Sequence, residues 1–332
     1  MSKIIHVLLT GGVGSRLWPL SRKSRPKQYI DLFGGKSLFE LSILRNQKFC
    51  DDLTIVGNVD NDHLSEETLS RTRTIDHSSI IEATPRNTAA AIAFAAFSAH
   101  PENILLVTPA DHIIVEGAAY NKAVEEAVAL AKEDNIVTFG IQPTKPETGY
   151  GYLETEGNTV SSFREKPDLA TAKTFLQSGK FLWNSGMFCF KAGLFLEELK
   201  KYEPEVFESS REVWFNNKEG ALNLEDSLKI PSISVDYAVM ERSDKIKVVK
   251  SGFDWSDMGS FEAIYDYLIE QGHEKDGHGN MVIGSNNYTA FVGLENSILV
   301  CTEDANLVLS KKCSQDVKKV YQELEISASH LI

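Results

Sequence analysis

Apolar residues along the chain fall into short runs that alternate with stretches of helical spacing. The runs at 4–9, 53–57, 79–83, 104–107 and 136–141 have the length of strands. The run 104–107 is apolar at every position, as a strand buried on both faces requires. Between the runs, 37–50 places Leu38, Leu41 and Leu44 or Ile43 at helical spacing. The polar stretch 60–73, the alanine-rich stretch 88–99 and 118–132 predict three more helices. Strand–helix alternation predicts an α/β fold, a Rossmann-like, mainly parallel mixed sheet with helices on both faces. Ligands then bind at the carboxyl ends of the strands. From Gly277 the texture changes. Short strands at 281–283, 289–292, 298–301 and 307–309 recur with Asn or Gly between them, and 314–324 predicts a terminal helix. The break is placed at 272–279, giving a large domain over 1–272 and a small β domain with a terminal helix over 278–332.

Composition narrows the class. A formal net charge of -13 argues against nucleic acid as a partner outside a local basic patch. No stretch approaches the roughly 20 apolar residues of a membrane span, so no membrane partner is expected. The first residues enter a strand with no signal-peptide pattern, which predicts a cytoplasmic protein. Cys50, Cys189, Cys301 and Cys313 form no C-x-x-C pair and are expected as reduced thiols.

Against this acidic background, residues 1–30 contain no Asp or Glu, while Arg16, Arg22, Lys23, Arg25 and Lys27 cluster there. They follow Thr10-Gly11-Gly12-Val13-Gly14-Ser15, where glycines let the backbone fold tightly and turn its N–H groups toward phosphate oxygens. A tight strand-to-helix turn would use the same glycines but leaves the cations unexplained. The dinucleotide fingerprint G-x-G-x-x-G is excluded, because Leu17 stands at the third glycine. A P-loop is excluded because Ile30 stands where the glycine before Gly35-Lys36-Ser37 is needed; that segment predicts a turn and a helix cap at Ser37.

Other chemistry follows strand ends. Glu82 precedes Pro85-Arg86-Asn87-Thr88; a carboxylate there can accept the paired N1 and N2 donors of guanine, and Asn87 or Thr88 can cap the next helix. Asp111 suits Mg²⁺, which takes oxygen ligands and keeps several waters, or a helix cap, with His112 a supporting hydrogen-bond partner. Gly149, Tyr150, Gly151 and Tyr152 suit a sugar or a hairpin turn. Glu165 and Asn184 can bond hydroxyls and Lys166 a phosphate. Asp236 is expected as a helix cap. Asp257 is a second candidate metal carboxylate, with Asp254 its competitor.

Taken together these residues resemble the sugar-phosphate nucleotidyltransferases, and within them the mannose-1-phosphate guanylyltransferases, over nearly the whole chain. The segments that carry the resemblance are Gly11-Gly12-Val13-Gly14-Ser15-Arg16-Leu17-Trp18-Pro19-Leu20, Pro26-Lys27-Gln28-Tyr29, Pro85-Arg86-Asn87-Thr88-Ala89, Pro109-Ala110-Asp111-His112, Thr148-Gly149-Tyr150-Gly151-Tyr152, Glu165-Lys166-Pro167, Asn184-Ser185-Gly186 and Trp255-Ser256-Asp257-Met258-Gly259. Thr10 and Val13 depart from the usual small residues of the glycine loop. The resemblance implies transfer of GMP from GTP to mannose 1-phosphate, giving GDP-mannose and pyrophosphate. It implies that Arg16 and Lys27 hold the triphosphate and the leaving pyrophosphate. Gly11, Gly12, Gly14, Ser15, Pro85, Asn87 and Thr88 line the nucleotide, and Glu82 reads the base. Asp111 and Asp257 hold Mg²⁺. Gly149, Tyr150, Glu165, Asn184 and Gly186 line the sugar, and Lys166 meets its phosphate. It also implies a C-terminal unit like a left-handed β-helix, and no isomerase activity. A homologue for another sugar phosphate, and a silent GDP-mannose-binding regulator, are the alternatives. Open strand edges in the C-terminal unit allow a homodimer.

Overall fold

The computed structural model describes residues 2–32, 34–72, 76–115, 117–217 and 220–332. In chain order the strands are β1 (Ile4–Leu9), β2 (Asp52–Asn58), β3 (His77–Glu82), β4 (Ile104–Pro109), β5 (Ile113–Ile114), β6 (Ile136–Ile141), β7 (Tyr152–Glu156), β8 (Thr159–Arg164), β9 (Phe181–Lys191), β10 (Ile246–Ser251), β11 (Trp255–Ser256), β12 (Met281–Ile283), β13 (Ser297–Cys301) and β14 (Asn306–Ser310). The helices are α1 (Leu38–Asn46), α2 (Asp62–Arg71), α3 (Asn87–Ser98), α4 (Ala118–Lys132), α5 (Leu169–Ser178), α6 (Ala192–Tyr202), α7 (Pro204–Asn216), α8 (Leu224–Ser227), α9 (Phe261–Glu270) and α10 (Val317–Ile326).

Nine strands form one mixed sheet in the order β3-β2-β1-β4-β9-β6-β10-β8-β7. Pairs β3–β2, β2–β1, β1–β4 and β6–β10 are parallel, and β9 runs antiparallel between β4 and β6. The expected mixed α/β sheet is present, with a parallel block β3-β2-β1-β4 and antiparallel pairs among β7, β8, β9 and their neighbours. Its two faces bury separate apolar clusters. One joins Val7, Leu105 and Val107 to α3 and α6 through Ile92, Phe94 and Phe195; the other joins Leu106, Val137 and Phe139 to α4 through Val124 and Ala127. Period-two alternation sends successive strand residues to opposite faces, so both must be apolar here.

The glycine turn before α1 forms as expected: Gly34 and Gly35 have φ of 65° and 75°, and Ser37 Oγ accepts from the Glu40 N–H at 3.2 Å. The expected helix over 60–73 spans Asp62–Arg71, and Arg73 lies outside the described residues.

Three expectations are corrected. No strand forms at 289–292, because both edges of β13 are already taken by β12 and β14; Tyr288 and Val292 stand 95% and 89% exposed. Neither Asn87 nor Thr88 caps α3 in the usual way. Thr88 Oγ1 instead accepts from the Val235 N–H at 2.9 Å, tying the helix to the loop before residue 236. Asp236 is no cap either: it opens a π-helical turn, Asp236–Met240.

After α9 comes a three-stranded sheet, β12-β13-β14, with a parallel and an antiparallel pair, followed by α10. Its apolar cluster includes Ile298, Val300, Val317 and Tyr321, together with Phe261 and Ile264 of α9 and Leu17 and Trp18 from the start of the chain. Among the described residues no helix is long and apolar enough to cross a membrane.

Candidate active site

Where β1, β3 and β4 end, their loops meet the turns around 149, 165, 184 and 257 and enclose a cleft with two lobes. The larger, a cavity of about 460 Å³, has Glu82, Pro85, Asn87 and Thr88 at one end. Gly149, Tyr150, Glu165, Lys166, Asn184 and Gly186 stand at the other. The smaller, about 370 Å³, is lined by Gly12, Gly14, Ser15, Arg16 and Lys27. Asp111, His112 and Asp257 belong to both lobes and form the waist; Gly11 lines the larger lobe. Asp254 is exposed and lines neither.

The basic loop takes its shape from glycine. Gly12 and Gly14 have φ of 98° and 78°, and a Cβ on Gly14 would stand 2.6 Å from Lys27 Cβ. That close approach carries Lys27 into the waist. Its buried ammonium lies 3.0 Å from Asp111 Oδ2, donates to the Asp257 carbonyl at 2.7 Å and lies 3.4 Å from the Met258 carbonyl. A lysine ammonium has three protons, so Lys27 has a partner for each. Arg16, by contrast, has no ion pair or hydrogen bond among the described residues.

Burial works against charge on Asp111, but Lys27 and His112 outweigh it and hold the carboxyl below its ordinary value. Asp257 Oδ1 accepts from Tyr150 Oη at 2.8 Å and from the Gly259 N–H at 3.0 Å. Burial, then the neighbouring Asp257, push the Tyr150 phenol up, so it stays protonated and donates. Its ring packs edge-on against Trp183 and Trp255. Trp255 Nε1–H in turn donates to His112 Nδ1 at 3.3 Å. Among the described residues no three His, Cys, Asp or Glu side chains converge as a metal cage. Two carboxylates at a waist fit an ion that takes the rest of its shell from substrate oxygens and water.

At the far end Glu82 is buried, with Oε1 left without a partner, and burial raises its pKa to about 7. At the opposite end of the larger lobe, Thr138 Oγ1 donates to Asn184 Oδ1 at 2.8 Å, and Asn184 Nδ2 donates to Asp236 Oδ1 at 3.1 Å. Burial and the nearby Glu165 raise Asp236 to about 7. Asp236 lines the larger lobe, and sequence reasoning missed it because an acidic residue before a short apolar helix looks like a cap. Lys166 Nζ pairs with Glu165 Oε1 at 3.0 Å. Asn87, Lys166 and Met258 hold positive φ of 70°, 46° and 45°, strained for residues with a Cβ. All three border the waist or an end of the cleft.

Residues 5–272 match the family model described as Nucleotidyl transferase, and residues 275–324 match that of the MannoseP isomerase/GMP-like beta-helix domain. The chain belongs to the nucleotidyl transferase family. Within that class it is 39% identical to Xanthan biosynthesis protein XanB of Xanthomonas campestris, across 98% of this chain and 74% of that protein. It is 36% identical to the mannose-1-phosphate guanylyltransferase of Escherichia coli, across 99% and 75%. A solved structure described as mannose-1-phosphate geranyltransferase from Thermus thermophilus superposes with a TM-score of 0.83 at 29% identity, covering 97% of this chain and 99% of that one. Nucleotidyltransferases of this family generally use a divalent metal.

Proposed function

We infer that this chain transfers the guanylyl group of GTP to mannose 1-phosphate, giving GDP-mannose and pyrophosphate. The observation that carries the reading is the single two-lobed cleft, with an unpartnered buried carboxylate at one end, a carboxylate pair at the waist and cations beyond it, in a chain alike end to end with guanylyltransferases.

Glu82 is assigned to the base. Ionised, its carboxylate accepts the N1 and N2 protons of guanine, and one of its oxygens has no partner in the protein; adenine presents no such pair of donors. Pro85, Asn87 and Thr88 flank the nucleoside. Glu165, Asn184 and Asp236 are assigned to the sugar hydroxyls, with Asn184 held by Thr138 so that its amide cannot turn. Lys166 is assigned to the sugar phosphate. Gly11, Gly12, Gly14 and Ser15 offer backbone N–H groups to the triphosphate.

The reaction forms a bond between an oxygen of mannose 1-phosphate and the α-phosphorus of GTP. It breaks the bond from that phosphorus to the bridging oxygen, whose electrons leave with pyrophosphate. A sugar phosphate has lost its second proton at about pH 6, so no general base is needed. Rate then comes from alignment and charge neutralisation. Asp111 and Asp257 would hold Mg²⁺, which supplies neutralisation between the α-phosphate and the incoming phosphate. Arg16 meets the charge gathering on the departing pyrophosphate. Lys27, fixed between Asp111 and the Asp257 backbone, keeps the Asp111 carboxylate at the waist and adds positive potential beside the leaving group. The large domain is assigned to 1–272 and the β-helix-like unit to 278–332.

Product analysis tests this reading. Purified protein with GTP, mannose 1-phosphate and Mg²⁺ is expected to form GDP-mannose and pyrophosphate in equal amounts. GDP-mannose bound tightly without either product forming would instead favour the silent regulator.

A further inference from the structure

We propose that the C-terminal unit completes the phosphate lobe, with Lys318 of α10 as a direct ligand of the β- and γ-phosphates and of the departing pyrophosphate; this rests on the guanylyltransferase reading above. Lys318 lines the smaller lobe together with Arg16 although it comes from the far end of the chain. It is exposed and, among the described residues, has neither an ion pair nor a hydrogen bond.

Its neighbours differ in this respect. Lys319 pairs with Asp316 at 2.6 Å, Lys23 with Glu325 at 2.8 Å and Arg22 with Asp304 at 2.5 Å. These three cations are matched to carboxylates of this chain, whereas Lys318, like Arg16, is not. Charge in the lobe gives this difference a purpose. The ammonium of Lys27 is already occupied by Asp111 and two backbone carbonyls, so of the two cations at the glycine loop only Arg16 is free to meet the phosphates. Lys318 supplies a second free cation in that lobe, and a flexible lysine stem can follow the phosphates from the bound triphosphate to free pyrophosphate.

Its position is fixed by packing. Val317, the residue before it, is 3% exposed and joins Tyr321, Leu17 and Trp18 in one apolar cluster, so α10 is seated on the Ser15–Leu17 turn that carries Arg16. Trp18 Nε1–H donates to the Leu331 carbonyl at 2.8 Å beyond the end of α10. The two unpaired cations of the lobe thus sit on elements that are packed together.

The test is calorimetric binding of pyrophosphate, GTP and mannose 1-phosphate in the presence of Mg²⁺ to the full chain, its K318A, K318E and K318R variants, and K319A as a control one position along the helix. Loss of one charge-assisted contact is expected to weaken pyrophosphate about tenfold in K318A. K318E is expected to weaken it further, and K318R to retain most of the affinity. Mannose 1-phosphate affinity and melting temperature should stay as in the unmodified chain, and K319A should bind pyrophosphate normally. In reverse turnover, KM for pyrophosphate should rise in step in K318A. Pyrophosphate affinity in K318A within twofold of the unmodified chain, or an equal loss in K319A, overturns the proposal while leaving the activity intact. An unmodified chain that binds neither GTP nor pyrophosphate overturns the guanylyltransferase reading and this proposal together.

Discussion

A carboxyl group buried with one oxygen unpartnered is a costly thing to keep, and Glu82 is such a group. Its pKa in the fold is about 7, against an ordinary 4.5. The raised value means that stability is full below about pH 4.5 and declines, by roughly 3 kcal/mol, as pH rises toward and through 7. Replacement by glutamine keeps the shape and removes the charge. Glu82→Gln is therefore expected to raise the melting temperature at pH 8 and to leave it unchanged at pH 4. KM for GTP should increase and its dependence on pH near 7 should vanish. Thermal scans and GTP titrations at both pH values check this, and an unchanged melting temperature at pH 8 would contradict it. The same scale separates two neighbouring acids. Asp257 lies in the waist and Asp254 outside both lobes, so Asp257→Asn should lose Mg²⁺-dependent turnover by roughly 100-fold, and Asp254→Asn should retain it. The reverse ranking would move the metal assignment to Asp254. Residue chemistry could nominate both acids, and only the family resemblance favoured Asp257, since the choice depends on which way one short loop turns.

At the level of elements, β9 does most to shape the sugar-side half of the cleft. Thr138 of β6 pairs with Phe188, but Gly140 pairs with Asn184; over two steps on β6, β9 advances four. The extra residues form a bulge around Gly186, whose φ is 71°, and the bulge turns Asn184 and Gly186 into the larger lobe. This strand was illegible in the sequence for the same reason. Asn-Ser-Gly within an apolar run is a turn signal, and only pairing on both edges makes the run a strand. The parallel strands β1, β4 and β6, by contrast, were plain from their largely apolar runs. Thr138 provides a test of the bulge. Thr138→Val removes the donor to Asn184 Oδ1 and should cost about 1 kcal/mol of stability. It should raise KM for mannose 1-phosphate severalfold while KM for GTP stays within twofold. Equal effects on both substrates would show that the bulge does not serve the sugar side alone.

Across the whole molecule, the start and the end of the chain are joined. Leu17 and Trp18, next to Arg16, are buried in the apolar cluster of the C-terminal strands and α10, and Arg22 and Lys23 reach acids of the same unit. Sequence could divide the chain at 272–279 by its change of texture, but it could not show that the second part rests on the phosphate loop of the first. That contact is made by residues about 300 positions apart, beyond the reach of any local pattern. The remaining breadth of the cleft follows from the sheet, because loops at the carboxyl ends of parallel strands converge on one side. The measurement that tests the account most directly is pyrophosphate release across pairs of substrates. GTP, ATP, UTP and dTTP would each be combined with mannose 1-phosphate or glucose 1-phosphate, at pH 8 with Mg²⁺. Release with GTP and mannose 1-phosphate at least tenfold faster than with any other pair is the predicted result. Faster release with another nucleotide would contradict the assignment of Glu82 to guanine, and faster release with glucose 1-phosphate would contradict the assignment of the sugar pocket.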